Sequence, residues 1–271
     1  MEHITYVMLS GLLVAVVSIA GLIILKSHRR MAHAIERNLE TLSATSAGVF
    51  LVTSFLLIRE TLEVLPIWNA SIAFLSGGLL YLILHHVIAP HRHHGDHEGH
   101  RHRHNPRSAW KILIGDAIHN LADGLLLVAS FGIGTHVGVT TTASIVLHEL
   151  PQEVAEFFVL RKSGYSNTEA TYRNVATAMS IFLGIGLGMV FINTEALQGY
   201  LLGMTATFFL GIVFTDLFPV GEVVKSKDWH RLLGALAIGV ILMTTVSSLL
   251  GHDHHVEGHD EHDHLTEHQD H

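Results

Sequence analysis

The stretch ILIGDAIHNLADGLLLVASFGIGTHVGVTTTASIVLHELPQEVAEFFVL, residues 112–160, decides the fold. Two apolar runs, Ile112 to Ile133 and Val137 to Leu160, are each long enough to cross a bilayer as a helix, and each carries a polar cluster: HNLADG from His119 to Gly124 and HELPQE from His148 to Glu153. A carboxylate at the centre of a spanning helix costs about 2.5–3.5 kcal/mol, so Glu149, Glu153 and Glu156 together would cost roughly 8–10 kcal/mol facing lipid. They must face a protein interior. No Lys or Arg lies between Ile112 and Leu160 to neutralise them, which leaves a metal ion as the natural partner for imidazoles and carboxylates gathered there.

Helical spacing sharpens this. At roughly 100° per residue, Asp116, His119, Asn120 and Asp123 fall on one face of the first run. His148, Glu149, Gln152, Glu153 and Glu156 share a face of the second, opposite Leu147, Leu150, Val154, Phe157 and Phe158. His119 with Asp123, and His148 with Gln152, are i,i+4 pairs able to grip one ion, and Asn120, Asp123 and Glu149 form a neighbouring second site with Asp123 bridging. Pro151 should kink the second helix and free the carbonyl of Leu147. A soluble-metalloprotease HExxH is excluded at its fifth position, which is Gln152.

The rest of the chain agrees with a membrane class. Of 271 residues 49% are hydrophobic and 15% charged, and mean hydropathy is positive. Cysteine is absent, so thiolate metal sites, disulfides and thiol nucleophiles are excluded. Further spans are expected at Ile4 to Leu25, Leu42 to Ile58, Ile67 to Leu84, Val175 to Ile192, Leu197 to Phe218 and Leu232 to Leu250, which makes eight. The first has its basic residues after the apolar run and no cleavage-like site, so it reads as a retained helix rather than a signal peptide. With eight spans and both termini outside, every Lys and Arg except Arg59 falls in loops on the cytoplasmic side, as the positive-inside rule requires.

Most of the 24 histidines lie in two polar segments, the cytoplasmic loop 85–107 and the tail 252–271, where they are interleaved with Asp, Glu, Gly and Arg. Such segments cannot build a core and collect borderline cations at many weak sites. The expected organisation is therefore an eight-helix membrane domain over 1–251 followed by a disordered His/Asp-rich tail. Asp216 and Asn174 are candidate contacts on the route to or from the site.

These motifs resemble the ZIP family of divalent-metal transporters: HNLADG matches its HNxxDG segment, and HELPQEVAEF its HExPHExGD segment. The likeness covers nearly the whole chain and extends to the His-rich loop between the third and fourth spans. It implies metal ligands at His119, Asn120, Asp123, His148, Glu149 and Gln152, with Glu153 and Glu156 keeping the acidic character. Gln152 stands where the pattern has a second His, Ala155 replaces a Gly and Glu156 an Asp. The family fold implied is all-α, with helices 1–3 related to 6–8 by an inverted repeat around metal-bearing helices 4 and 5, which gives alternating access. The function expected is transport of zinc, with iron, manganese and cadmium as further substrates, into the cytoplasm by a homodimer. No prosthetic group and no nucleic acid are expected, and no nucleotide-binding loop is present to drive the process. The absence of an extracellular domain suggests a bacterial inner membrane. The competing expectations are an intramembrane metal-dependent hydrolase with Glu149 or Glu153 as base, and a sensor without transport.

Overall fold

The computed structural model describes residues 2–27, 29–88 and 106–250, and among these every regular element is helical. Most of the His-rich loop and the whole of the His/Asp-rich tail lie outside the described residues. In chain order the helices are α1 (Glu2–Ser27), α2 (Arg29–Glu36), α3 (Leu39–Val64), α4 (Ile67–Ile88), α5 (Pro106–Ile133), α6 (Thr135–Lys162), α7 (Asn167–Ala178), α8 (Ser180–Phe191), α9 (Glu195–Ile212), α10 (Val220–Val223) and α11 (Trp229–Leu250). Seven segments are long and apolar enough to cross a membrane, with α7 and α8 counted as one span and α9 running on to Leu217. Besides the short α2 and α10, the helix outside that set is α6, which has 28 residues but carries the His and Glu cluster.

Local chemistry explains the boundaries. Helix α3 runs past its expected end at Ile58 because Arg59 and Glu63, one turn apart, pair at 2.9 Å. It stops where Pro66 forces Leu65 into an extended conformation (φ −111°, ψ 141°). Helix α7 opens with a capping box in which Ser166 accepts from the Glu169 N–H and the Glu169 carboxylate accepts from the Ser166 N–H. The span expected from Val175 is interrupted at Met179, and Ser180 donates its hydroxyl to the Ala117 carbonyl of α5 at 2.7 Å. Helix α6 passes through Pro151 as one continuous element, although Pro151 has no N–H for the Leu147 carbonyl.

Packing is densest along two seams. On α5 and α8, a Cβ placed at Gly124 would lie 2.1 Å from the Ile181 carbonyl oxygen, and one at Gly184 would lie 2.0 Å from that of Leu121. On α3 and α11, Gly48 and Gly239 meet in the same way. Only glycine allows backbones this close, the usual means of helix association in lipid. Helix α5 is thereby pinned from behind while its polar face turns to α6.

Candidate metal centre

Helices α5 and α6 are antiparallel neighbours joined at Gly134, and their polar stripes face one another. Asp116, His119, Asn120, Asp123, His148, Glu149 and Glu153 are all buried, each with 5% or less of its surface exposed. His148 Nε2 lies 3.2 Å from Asp123 Oδ2, and His119 Nε2 lies 3.6 Å from the same oxygen. His119, Asp123, His148 and Glu149 each offer a ligand atom within 4.8 Å of the others, as do Asp116, Glu149 and Glu153. Glu149 belongs to both groups. It is the carboxylate common to these two groups, and Asp123, the bridge that spacing expects, lies beside it in the first.

The remaining candidates sit around these two groups. The Asn120 amide donates to Asp116 Oδ1 at 3.1 Å, and Gln152 Nε2 donates to the same oxygen at 3.4 Å, so both amides turn toward Asp116. His148, one turn before Gln152, pairs with Asp123, so the two side chains have different polar partners while lining the same cavity. Glu156 is half-buried and lies outside both groups. Asn174 is buried and donates to the Glu153 backbone carbonyl at 2.8 Å, which ties α7 to the site helix.

Asp116 is the member that the ligand assignment misses. The signal for it was present, since it stands three residues before His119 and seven before Asp123 on the same face.

Electrostatically the centre is unfinished. Asp116 Oδ2 and both oxygens of Glu149 and of Glu153 are buried without a hydrogen-bond partner. The Lys and Arg ion pairs among the described residues involve Glu36, Glu60, Glu63 and Asp228, none of them in the centre. Buried carboxylates so close together demand positive charge, and a divalent cation with oxygen and imidazole ligands supplies it.

Aromatic rings form the other wall. Phe50 of α3 stacks on His148 at 4.1 Å between centroids, and Phe209 of α9 packs against Phe50, His119 and His148. A cavity of about 370 Å³ runs from His119 and His148, past Gln152 and Glu156, to Lys111, His85 and Asp216. At that end a π-helical turn, Val213–Leu217, presents Asp216. Tyr81 donates to Asp216 Oδ2 at 3.0 Å and is also bonded to His85 and Thr215.

The ZIP zinc transporter family profile matches residues 84–231, more than half of the chain and all of this centre. The chain belongs to the ZIP family. It is accordingly an integral membrane protein. Over 146 residues, 53% of this chain, it is 31% identical to zinc transporter ZIP10 of Mus musculus, of which 17% is covered. Over 135 residues, 50% of this chain, it is 31% identical to zinc transporter foi of Drosophila melanogaster, 18% of which is covered. Over 143 residues it is 30% identical to metal cation symporter ZIP14 of Xenopus tropicalis, with 53% of this chain and 30% of that protein aligned. The aligned region thus spans under a fifth of the mouse and fly proteins. These ZIP relatives are animal proteins and lend no support to a bacterial membrane.

Proposed function

We propose that this chain carries divalent cations, zinc foremost and iron, manganese or cadmium as further substrates, across the membrane toward the side holding its Lys and Arg. The observation that supports this most is the pair of ligand groups sharing Glu149, buried without basic partners and opening into a cavity that leads to the basic end of the bundle. His119, Asp123, His148 and Glu149 hold one cation. Asp116, Glu149 and Glu153 offer a second position one turn nearer the cytoplasm, and Asn120, Gln152 and Glu156 orient or extend it. His85 and Asp216 stand on the way out.

With α6 as an eighth span both termini lie on one face, and the Lys and Arg gathered on the opposite face make it the outer one. Helix pairing supports an inverted repeat: α3 packs on α11 and α9 on α4, while α5 packs on α8 and α6 on α1. Exchanging spans one to three with six to eight, and four with five, maps each of these pairs onto its counterpart. Such a repeat provides two equivalent arrangements around a fixed site, the basis of alternating access. The named relatives are transporters, and nothing in the comparisons supports the hydrolase.

Purified protein in liposomes should take up Zn²⁺, and Fe²⁺, Mn²⁺ and Cd²⁺ should compete. Absence of flux for all four would overturn the proposal. Asp116→Ala should weaken Zn²⁺ binding, measured by calorimetry, by at least about 10–100-fold, the loss seen when even a group that only orients metal ligands is removed. An unchanged affinity would remove Asp116 from the centre.

A further inference from the structure

A second cavity, of about 670 Å³, lies between α3, α6 and α11. Its position relative to the metal centre follows from the helices they share. On α3, the inner cavity is lined by Ser43, Ser46 and Phe50, whereas the second is lined from Leu51 onward to Glu60. On α6, His148 to Glu156 line the inner cavity and His136 to Thr141 the second. The two spaces therefore approach the metal centre from opposite ends of the bundle. The partition between them is thin: Thr53 is hydrogen-bonded to Ser144, one turn before His148, and Phe50 covers the His148 ring.

The chemistry of this cavity suits a cation. Arg59, the one Lys or Arg that the sequence assigns to this side, donates to Glu63 at 2.9 Å and lies 3.9 Å from Glu60. Glu60 lines the cavity, and Arg59 beside it is already engaged by Glu63, so its guanidinium is shared between two carboxylates. Glu60 is mostly buried, with 14% of its side chain exposed, while the imidazole of His136 is exposed on the facing helix. Deeper in, the Thr140 hydroxyl lines the cavity, is 93% buried by residue (7% exposed) and has no hydrogen-bond partner. A buried hydroxyl left unpaired in a polar pocket marks a place for water or a hydrated ion.

We infer that this cavity is an outer vestibule for hydrated divalent cations, in which Glu60 and His136 are the first protein ligands met on the way to His148. The inference rests on the transport direction proposed above. Carboxylate, imidazole and hydroxyl are ligands for zinc and its neighbours, and partial burial strengthens the attraction of Glu60 for a cation.

The chain contains no cysteine, so Ser247→Cys, on the α11 wall, introduces a sole thiol. In intact cells expressing the full chain, this thiol should react with a membrane-impermeant maleimide applied outside, and Zn²⁺ should slow the reaction. Adding Glu60→Gln or His136→Ala should remove the protection while leaving the metal-free labelling rate unchanged, which also verifies folding. In the cysteine-free background each substitution should raise the KM for Zn²⁺ uptake about tenfold and alter Vmax less than about twofold. A thiol unreactive from outside, protection that survives both substitutions, or an unchanged KM would overturn the vestibule. Protection dependent on Glu60 and His136 without Zn²⁺ flux in the parent would uphold the cation site and reject the transport reading.

Discussion

His119→Ala and Asp123→Ala should each reduce Zn²⁺ uptake into liposomes to the background of empty vesicles, a loss greater than the roughly 10–100-fold produced by removing a group that merely orients a ligand. Asp123 Oδ2 stands between the two imidazoles, 3.2 Å from His148 and 3.6 Å from His119, so its removal leaves both rings without the carboxylate that aims them. Taking away His119 removes one of the four imidazole and carboxylate groups that converge on the first position among the described residues. Neither space can be refilled from nearby, because Phe50 and Phe209 close that side with apolar rings. Glu156→Gln supplies the contrast. Glu156 lies outside both ligand groups, so its substitution should slow uptake by no more than about tenfold, the mild end of that range. Equal losses for Glu156→Gln and His119→Ala would mean that the cation is held lower in the cavity than the two histidines. Gel filtration and circular dichroism on the same preparations separate lost transport from lost folding.

The metal centre was legible in the sequence to the extent that one helix determines which side chains share a face. His119, Asn120 and Asp123 fall together by 3.6-residue spacing alone, and so do His148, Glu149 and Glu153. The same arithmetic already placed Asp116 beside them. Contacts between distant segments were not legible. Phe50 reaches His148 across 98 positions, and nothing in the local pattern of α3 announces it. Nor does spacing reveal that Gln152 and Asn120 both turn to Asp116, since an amide chooses among donors and acceptors only once the facing helix is in place. That Glu149 is common to both carboxylate-bearing groups is hidden for the same reason: it depends on how α5 and α6 pack against each other.

Along the chain, spans were easier to find than their ends. Apolar runs reveal the part of a helix inside lipid, whereas α3 and α4 continue beyond it as far as their polar residues can pair or Pro stops them. The break at Met179 falls within a run long enough to read as one span and coincides with a hydrogen bond from Ser180 to another helix, a contact that local spacing does not reveal. The polarity that identifies α6 as the site helix is also what sets it apart from the seven apolar spans.

The seating of α5 leads to the second large effect. Gly184→Ala should cost about 3 kcal/mol or more, the upper range for inserting a methyl group into a packed interior. The new Cβ would stand 2.0 Å from the Leu121 carbonyl oxygen and 3.0 Å from Gly124 Cα. Both obstacles are backbone, so no rotamer change relieves the clash and α8 must move away from α5. Gly186→Ala, two residues further along α8, meets nothing within 4 Å and should be neutral or stabilise by up to about 1 kcal/mol through helix propensity. Thermal unfolding of the two variants in detergent measures the difference. The functional consequence follows from position: Gly124 adjoins Asp123 in sequence, and its Cα faces the intruding methyl group. Displacing α5 there moves Asp123 relative to His148, across a 3.2 Å contact that tolerates little change. Gly184→Ala should therefore lower Zn²⁺ uptake even where the protein remains folded, whereas Gly186→Ala should not. Identical behaviour of the two would show that the α5 and α8 seam does not set the geometry of the metal centre.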